Sequence, residues 1–269
     1  MVGFLPVFLG AQSSLPIAHS HNDYLQKRPL YEAIELGFGS IEIDICLTNK
    51  KELKVAHIPW FLGRKKDIEE LYFAPIAKMI EEKDPRFNYN SQFPLNLLID
   101  FKKNADSTYK YLKVVFIKYE KYITQYCKGK VVYEGPLVIN ITGNQPWNAL
   151  MRDSITYALM DGPIWLTDPN INERGFYDID TNRLKFMGRA ANDYQSLMAF
   201  KKHFKNDEEF YKSVKSNIKI YNDHGLMTRF HGVPNNEKAW MMIAKCGTNW
   251  FNVDKLKRFK EFYTQYLSK

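Results

Sequence analysis

Four short stretches of this chain place polar, metal- or proton-binding side chains at the ends of apolar runs. They are Ile17-Ala18-His19-Ser20-His21-Asn22, Ile41-Glu42-Ile43-Asp44-Ile45, Val55-Ala56-His57 and Leu97-Leu98-Ile99-Asp100-Phe101-Lys102. On a strand, residues two apart point the same way. Glu42 and Asp44 therefore share a face, as do Asp100 and Lys102. Two carboxylates side by side on an apolar strand are costly to bury unless a cation pairs with them. Three carboxylates and two or three histidines in one cleft point to metal-assisted hydrolysis. The plain structural alternative for Glu42 and Asp44 is a salt bridge to lysines.

These residues need elements to hold them, and the chain supplies an alternation. Strand signals fall at 16–21, 40–45, 52–57, 95–102, 136–143, 155–162, 226–232 and 248–254, with a weaker one at 183–189. Helix signals fall at 28–37, where Pro29 sits near the start and Gly37 at the stop, and at 67–83, 107–126, 147–154, 207–224 and 236–245, with a terminal helix after 254. Asn49-Lys50-Lys51 reads as a turn. About eight strands alternating with helices predict a parallel sheet, and eight units predict a closed (β/α)8 barrel formed by residues 15–269. A doubly wound sheet is the alternative, but no glycine-rich phosphate loop follows the first strand. In a barrel, catalytic groups fall at the C-terminal ends of strands. His19, His21, Glu42, Asp44, Asp100, Lys102, Asn140, Thr142, Asp161, Arg229, His231 and Asp254 all do so.

Composition sets wider bounds. The chain has 269 residues, 45% apolar, with mean hydropathy −0.41, ordinary for a globular domain. The formal charge is +8, but the lysines are dispersed and no nucleic-acid motif accompanies them, so a solvated basic surface is the reading and nucleic acid is excluded as a partner. Three widely spaced cysteines, Cys46, Cys127 and Cys246, form neither a disulfide framework nor a zinc pattern. Residues 1–14 open with an apolar stretch lacking a basic n-region. They read as the remnant of an export signal, with Leu9-Gly10-Ala11 as a small-residue cleavage site, or as an arm over the barrel floor. Export to the periplasm or outside is the expectation, cytoplasmic residence the alternative.

Ala18-His19, the Glu42-x-Asp44 pair and a histidine thirteen residues after Asp44 resemble the PI-PLC-like phosphodiesterase superfamily, which includes glycerophosphodiester phosphodiesterases and sphingomyelinase D-type phospholipases. Asp100-x-Lys102 and Asn22 are similar to the sphingomyelinase D branch; the glycerophosphodiesterases usually have Glu where Asp100 stands. The run His19-Ser-His-Asn-Asp-Tyr24, with Arg229-Phe-His-Gly-Val-Pro-Asn-Asn and Asn252-Val-Asp254, resembles more closely the altered inheritance of mitochondria protein 6-like group. The likeness extends from Pro16 to Leu256 and is most specific in the first hundred residues. Two departures stand out. Ser20-His21 replaces the Arg-Gly that follows the first histidine in glycerophosphodiesterases, and His231 stands where relatives often carry Trp.

The resemblance implies a metal-dependent phosphodiesterase. Glu42, Asp44 and Asp100 would hold Mg2+ or Ca2+ through oxygen. His19 would act in attack and His57 would protonate the leaving group. Lys102 would contact the phosphate, and His21, Asn22, Arg229 and His231 are candidate substrate contacts. For His21, binding of metal, orientation of Asn22 and a structural role stay open; for Arg229, so does a salt bridge to Asp254. The implied partner is a phosphodiester small molecule or a lipid headgroup, with peripheral membrane contact, and the chain is expected to be a monomer. Two other functions compete. His19-x-His21 is also the metal signature of amidohydrolase- and PHP-type barrels, although later strands supply too few histidines. A barrel that binds a phosphorylated headgroup or glycan without cleaving it would use the same residues.

Overall fold

The alternation Ser-Ile-Glu-Ile-Asp-Ile in the second strand sets the pattern of the whole molecule. Ile41, Ile43 and Ile45 are fully buried in the layer beneath the helices, while Ser40, Glu42 and Asp44 turn to the opposite face, the barrel interior. The computed structural model describes residues 15–58, 60, 62–167 and 175–267. The segment 1–14 lies outside the described residues.

Among the described residues, eight parallel strands close on themselves in sequence order: β1 (Leu15–Ser20), β2 (Phe38–Leu47), β3 (Leu95–Phe101), β4 (Leu137–Gly143), β5 (Leu159–Pro163), β6 (Met187–Asp193), β7 (Met227–His231) and β8 (Trp250–Val253). β8 pairs back to β1, with His19 beside Asn252. Helices follow the strands: α1 (Tyr31–Glu35), α2 (Ala74–Glu81), α3 (Ala105–Lys118), α4 (Trp147–Arg152), α5 (Thr181–Leu184), α6 (Tyr194–Lys201), α7 (Asp207–Asp223), α8 (Glu237–Cys246) and α9 (Leu256–Phe262). This is the (β/α)8 barrel expected from the alternation. Aromatics fill the layer between strands and helices; Phe259 meets Phe38, Trp240 and Phe251 with centroids 6.3, 5.2 and 5.2 Å apart. The three cysteines are free. No helix among the described residues is long and apolar enough to cross a membrane.

Four elements differ from the sequence expectation, each for a local reason. The run 52–57 is no barrel strand: Leu53–Val55 returns antiparallel on β2, Ile45 opposite Val55. The helix expected over 107–126 stops at Lys118, and Gln125–Cys127 forms a hairpin with Lys130–Tyr133. Lys128 and Gly129, both left-handed, make its two-residue turn. The strand expected at 183–189 is displaced to Met187–Asp193 because Asp180 caps a helical turn over Thr181–Leu184 first; α6 then follows, unmarked in the sequence reading. Finally, α1 begins at Tyr31 rather than Arg28, because Leu30 is held at φ 67° with its N–H on the Asp23 carboxylate.

Asp23 is the anchor of the loop after β1. Fully buried, it accepts hydrogen bonds from Ser20 Oγ (2.8 Å), Leu30 N (2.6 Å) and Tyr72 Oη (2.9 Å). Burial raises its pKa to about 6 despite those donors. The folded chain therefore keeps a proton that the unfolded chain, near 3.8, releases. The Asp23 contribution to stability is full below 3.8 and is lost as pH rises through 6, about 3 kcal/mol for a shift of this size. Asp23→Asn should flatten that slope when urea midpoints of both proteins are compared between about pH 4 and pH 7; an equal decline in the two would assign it to other groups.

Candidate active site

The C-terminal ends of β2 and β3 bring three carboxylates together. Asp44 and Asp100 are register neighbours, and Glu42 lies two residues before Asp44 on the same face. One ligand oxygen from each of Glu42, Asp44 and Asp100 lies within 4.8 Å of the others. Gly143, the register neighbour of Phe101, permits this packing. Its φ is +72°, and a Cβ there would sit 2.1 Å from Asp100 Oδ1. The donor set is all carboxylate oxygen, which suits a hard divalent cation. Asp44 Oδ1 is buried with no hydrogen-bond partner, so a ligand position is left open in the cluster, and the residues fit such an ion.

Positive side chains interleave with this charge. Lys102 Nζ is 2.8 Å from Asp44 Oδ2 and 2.9 Å from Asp100 Oδ2. Burial works against its charge, but the two carboxylates outweigh burial and raise its pKa. Asp100 itself is raised, by burial first. Across the barrel, Arg229 from β7 places one guanidinium nitrogen 2.6 Å from Glu42 Oε2 and 2.9 Å from Asn252 Oδ1. Its other terminal nitrogen is 3.6 Å from Asp161 Oδ2. Burial alone would raise Glu42, yet Arg229 holds it well below the usual carboxylate range. Arg229 is itself buried and does not reach Asp254, so the salt bridge between those two is absent.

The histidines divide sharply. His57 arrives on the antiparallel return of β2: Ala56 N donates to Asp44 O (3.0 Å), and His57 Nδ1 lies 2.7 Å from Asp44 Oδ2 with its side chain 63% exposed. His21 Nδ1 lies 2.6 Å from Asp254 Oδ1, and the ring is part-exposed at the rim. Asn22, left-handed at φ 48°, directs its amide nitrogen to His21 Nε2 at 3.2 Å. His19 does not reach the cleft surface. It is fully buried, with Nδ1 2.7 Å from Ser40 Oγ and Nε2 2.9 Å from Glu42 Oε2. Burial and then Arg229 lower its pKa to about 3, so it is neutral at physiological pH. His231 ends β7 in register with Asp193, exposed at the rim.

Tyr24 read from the sequence as a cleft or core aromatic, and Ser40 and Arg189 were not marked. Tyr24 Oη donates to Asp44 Oδ2 at 2.8 Å, and Arg189 on β6 donates to Ser40 Oγ at 2.7 Å while stacked over Trp250 at 4.8 Å. Ser40 could have been found, because it lies on the face of Glu42 by the period of two. Arg189 carried no local signal, and Asn252 was marked only as part of the Asn252-Val-Asp254 motif; barrel closure brings both to the site. His19 and His21 both approach Glu42, through Nε2 at 2.9 and 3.8 Å, while their Nδ1 atoms turn to Ser40 and Asp254, and the one grouping of three or more metal-capable side chains among the described residues is the carboxylate trio.

Solved structures share this architecture at low identity, which speaks to the fold alone. A calcium-dependent phosphoinositol-specific phospholipase C from Pseudomonas matches with TM-score 0.55 at 13% identity, over 91% of each chain. A glycerophosphodiester phosphodiesterase from Parabacteroides distasonis gives 0.54 at 12%, over 92% of this chain and 97% of the other. An Oleispira antarctica phosphodiesterase solved with the product sn-glycerol-3-phosphate gives 0.53 at 11%, over 93% and 97%. The fold is thus that of the phosphodiesterase barrels. Residues 12–160 match the AIM6-like phosphodiesterase domain, and the chain belongs to that family. Proteins called altered inheritance of mitochondria protein 6 are similar: 25% identical in Kluyveromyces lactis, over 92% of this chain and 72% of the relative, and 27% in Eremothecium gossypii, over 91% and 68%. A Saccharomyces cerevisiae relative is 28% identical over 58% of this chain and 46% of its own length.

The buried pair at the centre of the site carries a prediction. Removing one member of a buried ion pair costs about 3–5 kcal/mol, because the other charge stays behind. Arg229→Met should lower the urea unfolding free energy by about that much, and adding Glu42→Gln should recover part of it. A single variant of wild-type stability would show that the pair has no such weight.

Proposed function

We propose that the protein is a metal-dependent phosphodiesterase acting on a glycerophosphodiester, a phospholipid or a related phosphodiester. The observation that carries this reading is the carboxylate trio bordered by Lys102 and by a histidine hydrogen-bonded to one of its members. Glu42, Asp44 and Asp100 would hold Mg2+ or Ca2+, which when bound supplies positive charge for a non-bridging phosphate oxygen. Lys102 adds a second positive contact beside that oxygen. Asp44 accepts the Nδ1 proton of His57, since a carboxylate can only accept, and so turns Nε2 outward. From there His57 can pass a proton to the leaving oxygen. Membership of a phosphodiesterase family supports the reaction class. The calcium dependence of the Pseudomonas enzyme and the glycerol phosphate product in the Oleispira enzyme support the ion and the ester class.

The test is turnover of a diester panel, including glycerophosphocholine, lysophospholipids and a nitrophenyl diester. Chelator should abolish turnover, Mg2+ or Ca2+ should restore it, and His57→Ala should lower it by about 10²–10⁴-fold. A protein that binds metal and phosphate ester yet turns over nothing would be the non-catalytic binding barrel instead.

A lipid-borne substrate has one specific support. Ile58 and Trp60, directly after His57, are 54% and 67% exposed, and Lys65 and Lys66 follow them, also exposed. Apolar tips backed by lysines suit the surface of an anionic bilayer. Trp60→Ala should reduce turnover of a diester in anionic vesicles by about tenfold while sparing a soluble diester; equal effects on both would remove the membrane from the proposal.

A further inference from the structure

The two oxygens of Asp44 have different work. Oδ2 accepts from three donors: His57 Nδ1 at 2.7 Å, Lys102 Nζ at 2.8 Å and Tyr24 Oη at 2.8 Å. Oδ1 is fully buried and accepts from none among the described residues. The neighbouring carboxylates divide in the same way. Glu42 Oε2 takes Arg229 at 2.6 Å and His19 at 2.9 Å, while His21 Nε2 stays 3.8 Å from Oε1, beyond hydrogen-bond reach. Asp100 Oδ2 takes Lys102 at 2.9 Å, and Oδ1 lies against Gly143. Each carboxylate thus gives one oxygen to the protein and keeps one for a ligand.

Of the three donors on Asp44 Oδ2, Tyr24 is the one that the proposed reaction does not use. Lys102 faces the phosphate and His57 the leaving group. The phenol is neutral and has one proton to give. That proton goes to Asp44, the nearer and charged acceptor, and not to Asn22 Oδ1 at 3.2 Å. The ring itself is set by the loop that carries it. Tyr24 lies in the single helical turn Asp23–Leu25, and Asp23 pins that turn through Ser20, Leu30 and Tyr72. The place of Oη is therefore built into the fold after β1.

We infer that Tyr24 is a positioning residue: by engaging Oδ2 it makes Asp44 a ligand through Oδ1 alone, and so helps to set which cation the trio accepts. The inference rests on the metal-dependent phosphodiesterase reading. Three carboxylates that offer one oxygen each suit Mg2+, a small octahedral cation that usually keeps several waters. Ca2+ takes roughly six to eight oxygens and gains from carboxylates that give both of theirs. The donors on Oε2 and Oδ2 oppose that second use. For Asp44 to offer both oxygens, Tyr24 would have to give up a hydrogen bond to a buried charge.

The experiment is calorimetric titration of Mg2+ and, separately, of Ca2+ into the wild-type chain and into Tyr24→Phe, which keeps the ring and removes only the hydroxyl. The wild-type chain should bind Mg2+ more tightly than Ca2+. Tyr24→Phe should weaken Mg2+ binding by about tenfold and Ca2+ binding by less, so that the ratio of the two Kd values moves toward Ca2+. General loosening of the site would weaken both ions alike, so an unchanged ratio overturns the inference. Wild-type Kd values in Tyr24→Phe, or a wild-type chain that prefers Ca2+, overturn it as well, and all three results leave the phosphodiesterase reading standing. A wild-type chain that binds neither ion overturns the metal-dependent reading, and the inference falls with it.

Discussion

The Arg229–Glu42 pair is the contact on which the rest of the site depends. Its two members come from opposite sides of a closed barrel, β7 and β2, and meet in an interior that neither charge could enter alone. Glu42 then holds His19 through Nε2, and His19 holds Ser40 and, through it, Arg189. One guanidinium thus fixes a chain of polar side chains drawn from β1, β2, β6, β7 and β8. It also keeps Glu42 ionised, which a cation ligand requires.

Around that centre the loops add the exposed chemistry. The turn after β1 carries His21, Asn22 and Tyr24, and the buried Asp23 beneath fixes its path. The return strand after β2 carries His57. His21 and His57 each rest on a carboxylate, Asp254 just past β8 for the first and Asp44 on β2 for the second. The orienting carboxylates sit on or beside barrel strands while the rings they orient sit on loops, so the strand ends aim the rings.

Much of this was legible in the sequence because strands write their faces with a period of two. Glu42, Asp44 and Asp100 stood out as carboxylates on apolar runs, and the structure gathers them. Periodicity could also order the barrel, since each βα unit is local in the chain. What it could not convey were contacts made by closure. Arg229 lies 187 residues from Glu42 and Arg189 lies 149 from Ser40; a local pattern marked Arg229 as a strand-end group but not its partner, and none marked Arg189. Nor could spacing alone separate His19 from His21. Two residues apart on one face, they differ because one lies within the strand ladder and the other just beyond its end.

The return strand Leu53–Val55 lies on the outer edge of β2, bridged on its other side to Asp67, and takes no part in closing the ring. The segment bearing His57 can therefore vary in length and sequence beyond its buried Leu53 and Val55 without reopening the barrel. A lineage that changed it would keep the barrel and its carboxylate trio while altering only the ring set beside Asp44. The ring beside Asp44 is thus held by an edge hairpin and not by the barrel itself.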